Sequence, residues 1–222
     1  MDSIIKASQI NKNKQILNFP QEGEAIDLFL LQKYVTPNYQ PRENPWVMDV
    51  GAASAKIGLV TKVFHLTEFN IPYSNSTVVG INIHKISGVY RAERGYDILN
   101  SGPLEGGDAL QDFTWVLPFM GSEENIPKYD LTIIRNPDLI NLEKWRTIFR
   151  KALQYTREQG SVVTLIRETD VEKYEQLLKG LKKGFGIEPT ISEETKIEND
   201  LRSNNSENYH HTIGIFKSLP NR

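Results

Sequence analysis

The 222-residue sequence predicts an α/β fold, a three-layer sandwich on a mostly parallel seven-stranded sheet with one antiparallel strand near the C-terminus. Three observations carry this. Short apolar runs at 47–50, 77–82, 129–134 and 162–166 alternate with segments whose apolar residues recur at helical spacing. A chain of tiny residues, Gly51-Ala52-Ala53-Ser54-Ala55, turns the first run sharply into a helix. Beyond residue 185 two strand-like segments are separated only by polar chain without a helical stripe, so they must pair as a long-looped antiparallel hairpin.

Residues 1–21 are polar and rich in Asn, Lys and Gln, which fits a loose arm or a short surface helix. From Glu22 to Val35, Ala25, Ile26, Phe29, Leu30 and Tyr34 mark a helix that Pro37 and Pro41 follow as stops. After the strand at 47–50, Ile57, Val60, Val63 and Phe64 line one helix face, and Thr77 to Asn82 resumes as a strand. Between 84 and 128 the signals are a short helix around Ile86, Val89 and Tyr90, a short strand from Tyr96 to Leu99, and Gly/Pro-rich loop. Tyr129 to Ile134 is a strand, and Leu142, Trp145, Phe149, Ala152, Leu153 and Thr156 stripe the helix after it. Gly160 resets the chain before the strand Val162 to Ile166. Thr169 and Glu172 then form a capping box for a helix carrying Val171, Tyr174, Leu178 and Leu181, which Gly184 stops. Phe185 to Ile191 and Tyr209 to Lys217 are the closing strands, with Ser192 to Asn208 as the loop. The expected organisation is an N-terminal helical extension over 1–45, placed to cover an acceptor pocket, and one α/β domain over 46–222.

With 26 basic and 28 acidic side chains the net charge is -2, so no global field steers the chain toward nucleic acid or an anionic membrane. Lys144, Arg146, Arg150, Lys151 and Arg157 crowd one helix, where the apolar stripe assigns them the solvated side. No apolar run approaches the roughly 18 residues of a membrane span, and no signal-peptide core opens the chain, so the expectation is a cytoplasmic protein. The absence of cysteine removes disulfides, thiolate metal sites and cysteine nucleophiles together. His65, His84, His210 and His211 have no metal-site spacing, so no metal is expected.

Read in order, these segments resemble the class I S-adenosylmethionine-dependent methyltransferases over about residues 45–217. Val47-Met48-Asp49-Val50-Gly51 is similar to the family's first motif and Val79-Gly80-Ile81-Asn82 to its second strand. Gly107-Asp108-Ala109, followed by Leu117-Pro118-Phe119, is similar to its adenine loop. Tyr129 to Pro137, through Arg135 and Asn136, is similar to its fourth strand and active-site edge. The resemblance implies a Rossmann-like sandwich that binds S-adenosylmethionine, releases S-adenosylhomocysteine, and methylates a small molecule or another acceptor. It implies cofactor contacts from Asp49, Gly51, Ala52, Ala53, Asn82, Ile83, Asp108, Ala109 and Arg135, with Asp49 toward the amino-acid end and Asp108 toward the adenine amino group. Asn136, Asp138 and His84 stand where a catalytic group is expected.

Each of these residues also has a plainer reading: Asp49 orders the loop, Asn82 and Asp108 are turn residues, and Asp138 or Asn141 caps the next helix. Two departures from the family pattern matter. Ala53 and Ala55 stand where further glycines are usual, and Asn82 stands where an acid usually grips both ribose hydroxyls. The alternative is therefore a non-catalytic binding or scaffolding protein on the same fold. A dinucleotide-binding Gly-x-Gly-x-x-Gly reading from Gly51 fails, because its third glycine falls on Lys56.

Overall fold

A computed structural model describes residues 22–52, 57–82, 95–101, 128–135, 137–197 and 209–217. Helix α1, Glu22–Leu30, continues through a π-helical turn at Leu31–Val35 and a 3-10 turn at Thr36–Asn38. Then come β1 (Trp46–Val50), α2 (Ile57–Phe69), β2 (Thr77–Asn82), β3 (Ile98–Ser101), β4 (Tyr129–Arg135) and α3 (Leu142–Tyr155). The chain continues with β5 (Thr156–Arg167), α4 (Val171–Phe185), β6 (Ile191–Ile197) and β7 (Tyr209–Lys217).

The seven strands form one sheet in the order β3-β2-β1-β4-β5-β7-β6. All pairs are parallel except those of β7, which lies antiparallel to both β5 and β6. Alternation along each strand sends one set of apolar residues to each face. Val47, Leu131, Ile133, Val163 and Leu165 pack under Leu28 and Leu30 of α1 and Ile57, Val60, Val63 and Phe64 of α2. Met48, Val50, Val79, Ile81, Ile134 and Val162 pack under Ile148, Phe149, Ala152 and Leu153 of α3 and Tyr174, Leu177 and Leu181 of α4. The result is the expected three-layer sandwich.

Four local expectations are corrected. Gly160 lies inside β5, where the register jumps from the pair Tyr129 and Thr156 to the pair Leu131 and Ser161. A Cβ on Gly160 would stand 2.7 Å from the Asp130 carbonyl oxygen, so glycine permits a close approach within a bulge. The N-cap of α4 is Asp170 and no side-chain bond caps it, so the Thr169/Glu172 box does not form. The helix ends at Gly186, whose φ of 66° brings its amide back onto the Leu181 and Lys182 carbonyls, and not at Gly184. The sixth strand begins at Ile191, six residues beyond the expected start at Phe185.

Candidate cofactor crevice

From β1 the sheet order runs through β2 to β3 on one side and restarts at β4 on the other. The crevice outside the carboxyl ends of β1 and β4 is thus the topological switch point, the place where open α/β sheets bind ligands. Asp49 is the penultimate residue of β1 and Arg135 the last of β4. By strand alternation Asp49 falls on the same face as Val47, and Arg135 on the same face as Leu131 and Ile133. Both face the α1/α2 layer.

Asp49 is 1% exposed, and the Tyr96 hydroxyl donates to its Oδ2 at 2.5 Å. Its Oδ1 has no hydrogen-bond partner among the described residues. Burial pushes the carboxyl up to about 7, against the lowering effects of the Tyr96 hydrogen bond and the Arg135 charge, with the Asp27 charge adding to the rise. Tyr96 reaches Asp49 by crossing β2 at Gly80, where a Cβ would stand 2.8 Å from Ala52 Cβ and 3.0 Å from Tyr96 Cδ1. The Tyr96 turn is itself pinned: Asp97 Oδ1 accepts from Lys62 Nζ at 2.8 Å and its Oδ2 from the Val78 amide at 2.7 Å.

After β1, Gly51 takes a φ of 85°, a left-handed conformation that favours glycine, and nothing lies within 4 Å of where its Cβ would be. The amides of Gly51 and Ala52 both donate to the Ile81 carbonyl, at 2.8 and 3.0 Å. A ligand at this turn therefore meets the open Cα face of Gly51, since those two N–H groups are already used. Asn82 donates from Nδ2 to the Ala52 carbonyl at 2.9 Å and ties the turn to the end of β2. Arg135 is held by the buried Asp27 of α1, its Nε lying 3.0 Å from Oδ1 and 2.9 Å from Oδ2.

No protein-family model matches this sequence, and no curated protein does. Solved structures do. The N-methyltransferase NodS from Bradyrhizobium japonicum, in complex with S-adenosylhomocysteine, superposes with a TM-score of 0.54 at 11% identity, covering 95% of this chain and 94% of that one. A Listeria monocytogenes protein provisionally assigned to the class I S-adenosylmethionine-dependent methyltransferases gives 0.52 at 14% identity, covering 99% of this chain and 68% of that one. The chain has the class I methyltransferase fold.

Within that methyltransferase fold, Asp49, Gly51, Ala52, Asn82 and Arg135 gather at the β1/β2/β4 edge. Ala53, Ile83, His84, Asp108, Ala109 and Asn136 lie outside the described residues. Asp138 sits just beyond β4, where its Oδ1 accepts from Trp145 Nε1 at 2.6 Å and from the Ile140 amide at 3.4 Å. The cap of α3 is Asn141, whose Oδ1 accepts from the Lys144 amide at 3.0 Å. Sequence reasoning missed Tyr96 and Asp27 as site residues. The one signal for the first was Gly80, a glycine inside an apolar strand, which marks close approach of another group.

Among the described residues no cluster of His, Asp or Glu could hold a metal ion, and no helix is long and apolar enough to cross a membrane.

Proposed function

We propose that this protein binds S-adenosylmethionine in the β1/β4 crevice and transfers its methyl group to a small-molecule acceptor. The observation that carries the reading is the free Oδ1 of Asp49: a buried carboxylate oxygen without a partner among the described residues, at the ligand-binding switch point of a methyltransferase fold. A buried unpaired acceptor costs about 1–3 kcal/mol. The ammonium of an amino-acid moiety is the kind of group that would satisfy it. The bound donor would supply an already activated methyl group. This chain's own task is to align the acceptor in line and accept a proton where the acceptor carries one. The basic residues of α3 are partly used within the protein, which favours a small acceptor over nucleic acid. Arg146 pairs with Glu143 and fills the space above Gly180, and Arg150 stacks on Phe185 with 5.3 Å to the ring centroid.

Calorimetry tests the reading. Saturable binding of S-adenosylmethionine is expected, weakened at least about tenfold in Asp49→Asn. Because an ammonium requires ionised Asp49, wild-type affinity should rise as pH rises through about 7, and the Asn variant should lose that dependence. Absence of saturable binding would end the proposal.

The second reading, a binding or scaffolding protein without turnover, draws on two contacts. Asn82 spends its amide on Ala52, and the first two amides of the turn are spent on Ile81. Binding without methyl transfer to any of a panel of amines, phenols and carboxylic acids would favour it.

A further inference from the structure

The proposed crevice leaves one buried acid, Asp27, without a role. Asp27 is buried in α1, outside every motif that the sequence resembles, yet it reaches the last residue of β4. A guanidinium has five N–H donors in a planar fork. Asp27 takes Arg135 through Nε alone, and among the described residues no hydrogen bond engages either Nη group. Arg135 retains 22% of its side-chain exposure, while Asp27 retains 3%. An arginine clamped along one edge by a buried acid, with its two-pronged edge left open, is preorganised for a planar anion.

We propose that Asp27 is a positioning residue: from the N-terminal helix it fixes Arg135 so that the Nη edge receives a carboxylate in the crevice. This rests on the reading of the crevice as a ligand site. Two carboxylates could arrive there, that of the cofactor's amino-acid end or one carried by the acceptor. A purely structural staple between α1 and β4 is the competing account.

The first measurement needs no cofactor. Acetate is titrated against full-length protein while the Arg135 Nε–Hε resonance is followed by NMR. A saturable shift is expected in the wild type and a response weakened at least fivefold in Asp27→Asn, with the rest of the amide spectrum native. No shift in the wild type, or an equal shift in the variant, overturns the proposal. The second measurement compares S-adenosylhomocysteine with 5′-methylthioadenosine, which lacks the amino-acid moiety. A roughly tenfold fall in preference for the former in Asp27→Asn assigns the carboxylate to the cofactor. An unchanged preference with the acetate response lost assigns it to the acceptor. A wild type that responds to acetate but binds neither nucleoside refutes the methyltransferase reading and leaves the Asp27 role standing. If Asp27→Asn does not fold, Arg135→Lys keeps the charge without the fork. Its melting temperature should then lose the acetate-induced rise seen in the wild type, and retention of that rise overturns the proposal.

Discussion

The two ends of β4 carry mirror-image ion pairs with opposite character. At the amino end, Asp130 of the strand accepts from the chain that leads into β1: from the Arg42 amide, Nε and Nη2, from the Trp46 amide at 2.9 Å, and also from Arg157 Nε at 2.6 Å. At the carboxyl end the roles are exchanged, and Asp27 of α1 holds the strand's Arg135 through one nitrogen. Both Asp130 oxygens are engaged, whereas Asp49 beside Arg135 keeps one oxygen unpartnered among the described residues. A saturated buried network fixes architecture, because every polar atom is already satisfied. An unsaturated one leaves an acceptor that a ligand can satisfy.

The largest break in this comparison comes at the saturated end. Asp130→Ala removes the shared acceptor of two arginines and the Trp46 amide and should cost about 3 kcal/mol in urea unfolding, while crevice ligand affinity per folded molecule is retained. A loss below about 0.5 kcal/mol would show that the node is not architectural. Next in size is Gly80→Ala. Its methyl would press on Ala52, Leu99 and Tyr96, so an overpacking cost of about 1–3 kcal/mol is expected together with weaker crevice binding, because Tyr96 is displaced from Asp49. Here stability and affinity should fall together, and a variant that lost only stability would detach Tyr96 from the site.

What could be read from the sequence follows the strength of the local signal. The central strands are buried on both faces and stand out as apolar runs, and the helices over them carry full stripes. The sixth strand, Ile191-Ser192-Glu193-Glu194-Thr195-Lys196-Ile197, lies at the sheet edge, and its polar composition resembles loop. Gly184 reads as the stop of α4 from its place after the last apolar residue of the stripe, but the left-handed turn that ends the helix falls two residues later at Gly186. In the crevice, Asp49 and Arg135 were legible from their positions at strand ends. Asp27 and Tyr96 were not, since their roles arise from contacts 108 and 47 residues distant in sequence. Their local neighbourhoods show only an ordinary amphipathic helix and a turn.

The smallest expected effect is also the most direct test of contrast between the two acids. Burial pushes Asp130 up, but the Arg42 side-chain hydrogen bonds, the Trp46 amide and the Arg42 charge together hold it below the ordinary carboxylate value. Its stabilising contribution is therefore present above that ordinary value and lost as pH falls through the lower folded pKa. Asp49 behaves in reverse. Its folded pKa of about 7 lies above the unfolded 3.8, so its contribution is complete below pH 3.8 and declines as pH rises through 7. Tyr96→Phe removes the hydrogen bond that favours the ionised form and should cost about 1 kcal/mol near neutral pH. The Asp49 carboxyl, followed by carbon-detected NMR, should then titrate above 7, and the Asp49-linked decline in stability should continue to higher pH. An unchanged titration would mean that Tyr96 does not govern Asp49. Burial, with the Arg135 and Asp27 charges, would then set the protonation state in which the crevice meets its ligand.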